Sequence, residues 1–194
     1  MMSDRKMYLA ALGVAAVLFF GSCIFGYMVS LEEPHTGDAL SSSFQEVITE
    51  LNAKAPAMLS WQIFFNNLKV CLILFMGGIT FGALTLIILV SNGYVIGGIT
   101  EVMLREYDGL LFAASIVPHG IFEIAALLMS SALGFQMAHA LFSDALARRS
   151  AGEVCVWYGT RFLCVVVPLL VVAALMEAFV TPVVADMVLN WLMG

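Results

Sequence analysis

His119 and Glu123 are the residues best placed to do chemistry. They are four apart, so on a helix they share one face. An imidazole beside a carboxylate can pass a proton, hold a cation or begin a metal site. Continuing that face in helical steps adds Ala126, Ser130 and Gly134. The stripe is ionisable at one end and small along the rest. The opposite face carries Ile121, Leu128 and Phe135, which suit lipid. The pair is therefore expected to point into a helix bundle. Glu101 and Glu177 also fall in apolar surroundings, while Asn67 lies with Asn66 and Lys69 in the polar first turns of a span and Asn92 lies in Ser91-Asn92-Gly93. Glu177 lies one turn before Thr181-Pro182, where a helix end would repel its charge, so it needs a partner. These groups define a candidate intramembrane polar site: His119, Glu123, Glu177 and Glu101, with Asn67 and Asn92. Helix geometry fixes only the His119–Glu123 pair. The competing reading is structural, with these side chains satisfying backbone groups freed around Pro118 and Asn92-Gly93. A metal site on His119 and Glu123 is a weaker alternative, and no cofactor is implied.

Catalytic motifs are absent. There is no HExxH, GxSxG, P-loop or GxGxxG, so an enzyme has no support. Cys23, Cys71, Cys155 and Cys164 show neither CxxC nor metal-ligand spacing. They read as small packing residues. His35 and His139 are isolated.

The elements that must position these residues follow from composition. Of 194 residues, 62% are hydrophobic and only 11% are charged, with a mean hydropathy of +1.00. A soluble domain is about 45–50% apolar and about 25% charged. This chain cannot cover a water-exposed surface, so lipid must be its main solvent. The net charge of −6 gives no basic footprint for nucleic acid. The acidity is local: Glu32, Glu33, Asp38, Glu46 and Glu50 stand against Lys54 alone between Ser30 and Ser60.

A spanning helix needs about 20 mostly apolar residues. Met7–Val29 is the first such run, too long for the core of a signal peptide. In the polar segment 31–60, Phe44, Val47, Ile48 and Leu51 recur at helical spacing behind Ser41, Ser42 and Ser43. They predict an extracytoplasmic amphipathic helix, ended or kinked by Pro56. The second span is expected over 61–90, with Ser91-Asn92-Gly93 as a turn. Residues 94–117 read as a discontinuous third element, interrupted at Arg105–Gly109 and broken at Pro118. Further spans are expected over 118–142 and 161–180, followed by an amphipathic tail at 183–192. Gly78 and Gly82, then Gly93 and Gly97, are four apart and let helices approach closely, within the chain or across a homodimer.

Arg5 and Lys6 place the N-terminus in the cytoplasm, and Arg148, Arg149 and Arg161 want the same side. Both hold with five crossings and an extracytoplasmic C-terminus. A re-entrant 94–117 would leave four. The expected class is thus an all-α, polytopic transmembrane helix bundle in the cell membrane, forming a single domain.

The order of motifs resembles that of the stage II sporulation protein M family of integral membrane proteins. The resemblance rests on Phe65-Asn66-Asn67, Gly77-Gly78 with Gly82, Asn92-Gly93 with Gly97, and Pro118-His119-Gly120-Ile121-Phe122-Glu123 with Ala125 and Gly134. Met176-Glu177-Ala178-Phe179-Val180-Thr181-Pro182 is similar to the family's closing motif. The likeness covers about Phe19 to Pro182. It implies a polytopic scaffold, which in endospore formers assembles with two peptidoglycan-degrading proteins during engulfment. The family also resembles proteins of organisms that never sporulate. Expected partners are therefore the lipid bilayer and other membrane or cell-envelope proteins. The rival reading is a transporter or channel for protons, cations or a small solute through the His/Glu site.

Overall fold

A computed structural model describes residues 4–39, 42, 56–106, 108–147 and 151–193. Every regular element among them is helical. Helix α1 spans Asp4–Glu32, α2 Pro56–Met76, α3 Ala83–Glu106 and α4 Gly109–Ala147. A last rod runs through α5 (Ala151–Arg161), α6 (Val167–Leu175) and α7 (Thr181–Met193), joined by π turns at Phe162–Val166 and Met176–Val180. Among the described residues, five helical stretches are long and apolar enough to cross a membrane: Arg5–Glu32, Trp61–Thr80, Ala83–Glu106, Gly109–Ser143 and Cys155–Met193. The protein is thus an all-α bundle of membrane-crossing length.

The breaks between helices differ from the sequence expectation. Residues 61–90 are not one span. The chain turns at Gly77–Thr80, and Phe81 and Gly82 take left-handed backbone angles, φ 54° and 83°. Glycine adopts that conformation without penalty. The Phe81 and Gly82 amides bond back to the Gly78 and Gly77 carbonyls. Ser91-Asn92-Gly93 is not a turn but the interior of α3. Asn92 donates its side-chain amide to the Ile88 carbonyl one turn earlier, at 2.8 Å. In lipid an open turn would strand backbone groups, and the helix pairs them all.

Residues 94–117 are interrupted where the charges are, between Glu106 and Gly109, as the Arg105–Gly109 run implies, but they are not one element: the first part completes α3 and the rest opens α4. Asp108 caps α4 there, its carboxylate accepting the Leu110 and Leu111 amides. Pro118 lies inside α4 without breaking it. Pro56 opens α2, where its missing amide hydrogen costs nothing. The proposed amphipathic helix at Phe44–Leu51 lies outside the described residues.

Thr181-Pro182 does not end the last span, and 183–192 is no separate tail, since α7 continues it. Both π turns precede a proline at the same spacing, Pro168 and Pro182. Proline cannot donate to the carbonyl four residues back. The widened turn absorbs that defect. The Val167 amide bonds the Phe162 carbonyl and the Thr181 amide bonds the Met176 carbonyl, five residues back in each case.

Two packed cores hold the bundle. One gathers Cys71 and Phe75 of α2, Ala126, Leu133 and Met137 of α4, and Tyr158, Phe162, Val166 and Leu170 of the last rod. The other joins Ala15 and Phe19 of α1 to Leu74, Leu89 and Leu127. Helix α4 enters both. Tyr8 near the start of α1 packs on the first core beside the start of the last rod, so these two ends lie on one side of the bundle.

Helices α1 and α3 run parallel and close. A Cβ on Gly97 would overlap the Cys23 carbonyl, one on Gly26 the Tyr94 carbonyl, and one on Gly93 the Ser22 hydroxyl. Gly93 and Gly97 therefore serve a contact within the chain. Gly78 does the same against the Gly134 carbonyl and Met137, while Gly82 forms the turn beside Phe135.

Candidate functional site

The site forms where α2, α4 and the second π turn meet. Helix α4 supplies His119 and Glu123 on one face, as their spacing requires. Helix α2 brings Asn67, whose side-chain amide donates to Glu123 Oε1. The π turn brings Glu177, whose Oε2 lies 2.5 Å from His119 Nδ1. Thr181 Oγ1 sits 3.1 Å from the same nitrogen. Glu177 Oε2 makes no aligned hydrogen bond, and its contact with the ring is an ion pair when the imidazole is protonated. His119 and Glu177 retain 15% and 24% side-chain exposure. They lie near the edge of the helix contact rather than in a sealed core.

Glu177 does not face a helix end, as the sequence reading supposed, because the rod continues past it. Its position follows from the π turn. The extra residue per turn swings the carboxylate and the Thr181 hydroxyl onto the α4 side. Nothing in the local sequence marks Thr181 as a partner except the proline after it, which signals the widened turn.

The small stripe below the pair is also bonded. Ser130 donates to the Cys71 carbonyl at 2.5 Å. Gly134 approaches the Leu74 carbonyl. Thr85 donates to that same carbonyl at 2.7 Å. The Leu74 carbonyl lies in the last turn of α2, where no helical amide remains for it. Ser130 and Thr85 are fully buried, so each hydroxyl, with no water available, is satisfied by a carbonyl of α2.

Glu101 and Asn92 do not join this site. Glu101 is 5% exposed and accepts the Ser30 hydroxyl at 2.8 Å. Arg105 Nε stands 3.7 Å from its other oxygen, and the Arg105 guanidinium pairs with Asp38 at 2.5 Å. This second cluster lies at the C-terminal ends of α1 and α3. Gly37 presses against Ser30 and Val102 there, so close that no Cβ would fit. Ser30, Asp38 and Arg105 carried no signal in the sequence, because their contacts join residues about 70 apart. Gly120 is buried within α4, beside Ile116.

Chemically, the site can tie three helices together or relay a proton between a ring and two carboxylates. It offers a poor cation cage. Glu177 and His119 already face each other, and among the described residues no three His, Cys, Asp or Glu side chains converge on a metal-sized point.

Comparison with known proteins agrees with the motif order. The family model described as Stage II sporulation protein M matches residues 15–182. An uncharacterized protein of Methanocaldococcus jannaschii is 31% identical over 177 residues, which cover 90% of this chain and 95% of that one. No solved structure matches.

Proposed function

Because the chain belongs to the stage II sporulation protein M family, we propose that this membrane protein is a non-enzymatic scaffold. It would hold other membrane or cell-envelope proteins through its helix faces and its acidic extramembrane segment. The observation that carries this reading is the use made of the ionisable groups in the spans. Asn67 bonds Glu123, and His119 meets Glu177 and Thr181, each contact running between helices. Polar groups spent on fixing helix against helix suit a rigid platform. On this reading the N-terminus is cytoplasmic and the C-terminus extracytoplasmic. The side that gathers Arg5, Lys6 and Arg161 then faces the cytoplasm.

The test is affinity capture of the full chain from its native membrane in mild detergent. Reproducible co-purification of the same envelope proteins, lost on shortening the 31–55 segment, is the expected result. Capture of no reproducible partner would sink the scaffold.

One observation favours a second reading. At 15% and 24% side-chain exposure the His119–Glu177 pair is not sealed by protein, although the Glu177 Oε2 that meets the ring is itself buried. A transporter or channel would then move protons or cations past it. Vesicles carrying the protein would show flux that Glu123→Gln abolishes. Equal flux from wild type, variant and empty vesicles would remove this alternative.

A further inference from the structure

Arg161 poses a problem that the fold does not solve internally. Arg161 ends α5 and lies within the apolar stretch Cys155–Met193, whose 39 residues exceed the roughly 20 that cross a bilayer. An arginine in such a stretch needs an anion or an escape to the interface. Its guanidinium lies over the Trp157 ring, 3.3 Å from the centroid. Trp157 is one turn earlier, so the side chain is directed back toward the start of the rod. Among the described residues no carboxylate stands within ion-pair distance of Arg161, whereas Arg105 has two. Cation–π contact leaves the N–H donors at the edge of the guanidinium free.

The surroundings form an open cleft lined by Gly152, Glu153, Val156, Trp157, Thr160 and Arg161. Its walls are apolar: Val156 is 71% exposed and Trp157 42%. Thr160 bonds its own helix. Glu153 is the one acid on the rim and lies on the side away from the span. The bundle end that holds this cleft also holds the start of α1, since Tyr8 packs on the core of Tyr158 and Phe162. Exposed Arg5 and Lys6 are there. Arg148 and Arg149 precede the rod in sequence. Among the described residues, Arg5, Lys6 and Arg161 thus share one end of the molecule.

We propose that this cleft binds the phosphate headgroup of an anionic phospholipid, with Arg161 as its ligand and Val156 and Trp157 flanking the first part of an acyl chain. Arg161, with exposed Arg5 and Lys6 at the same end, supplies positive charge that outweighs Glu153 on the rim. A tryptophan that both stacks on the cation and faces lipid suits an interfacial site.

Native mass spectrometry of the full chain, released from nanodiscs of mixed phosphatidylglycerol and phosphatidylcholine, tests this. Wild type is expected to retain phosphatidylglycerol preferentially. Arg161→Gln is expected to lower that retention about five-fold, and Arg105→Gln to leave it unchanged. Inorganic phosphate added alone should not displace the lipid. Equal retention of the two lipids overturns the proposal, as does unchanged retention in Arg161→Gln. Displacement by phosphate alone overturns it in favour of a free-ion site. Should Arg161→Gln fail to fold, a chain carrying Trp61→Phe and Trp191→Phe reports from Trp157. Its fluorescence should be quenched more by brominated phosphatidylglycerol than by brominated phosphatidylcholine. Equal quenching would also overturn the site.

Discussion

Helices α1 and α3 run side by side, and so do α2 and α4, but the two pairs are fastened differently. Between α1 and α3 the backbones nearly touch. Gly26, Gly93 and Gly97 each face a carbonyl or hydroxyl with no room for a Cβ. Between α2 and α4 a single glycine, Gly134 against the Leu74 carbonyl, comes as close, and side chains add the rest: Asn67 to Glu123, and Ser130 to the Cys71 carbonyl; α1 and α3 have such a bond at their ends, from Ser30 to Glu101. Lipid is as apolar as leucine, so burial alone drives neither pair together. Close approach gains dispersion and has no tolerance for volume. Polar bonding tolerates volume but fails when one partner is removed. The two contacts should therefore break under opposite kinds of substitution.

The largest effect is expected from Gly97→Leu, which forces α1 off α3. Overpacking a tight contact costs about 3 kcal/mol, read as lost stability in detergent titration of the purified chain. Gly21 has nothing within 4 Å of where its Cβ would stand, so Gly21→Leu should leave stability near wild type. Equal losses at both positions would end the distinction between packed and open glycines. Glu123→Ala should come next, because it strands the Asn67 amide; a buried unmade bond costs about 2 kcal/mol. Asn67→Leu with Glu123→Leu should recover part of that loss. A smaller effect is expected from the His119–Glu177 contact. A double-mutant cycle with alanine at both positions should give a coupling of about 1 kcal/mol; zero coupling would mean the contact holds nothing. Ser130→Ala should cost about 0.6 kcal/mol, the usual value of a single interhelical bond in a membrane. Smallest of all, Arg105→Gln removes a pair open to solvent, since the Asp38 side chain is 52% exposed. Its effect should fade as salt is raised. Protease cleavage near residues 34–39 should report it more sensitively than unfolding.

The five apolar stretches were legible because hydropathy needs only composition along a window. The pairing of His119 with Glu123 was legible because helical spacing is fixed. What misled was glycine. Gly78 and Gly82 read as a packing motif inside one span, yet the chain reverses there. Asn92-Gly93 read as a turn, yet the helix runs through. Glycine serves both close approach and left-handed turns, and sequence alone does not separate the two uses. Pro118 read as a break, while Pro168 and Pro182 mark the widened turns. Proline states that a donor is missing but not how the helix accommodates the loss. Glu101 joined the wrong group for a different reason. Its partners Ser30 and Arg105 depend on α3 lying along α1, a long-range pairing that no local pattern encodes.

The alternation of partners bears on how the protein is made. Helix α1 finds its main neighbour only in α3, with α2 lying between them in the chain. At about 5–20 residues per second, α1 would wait roughly 4–15 s after its own completion before Glu106 emerges. During that interval Gly26 and Ser22 have only lipid beside them, and Ser22 survives by bonding the Phe19 carbonyl of its own helix. Pairing of α1 with α3 must therefore wait until α3 has been made and inserted. Any insertion factor that guards α1 during synthesis should release it only after α3 has entered the bilayer.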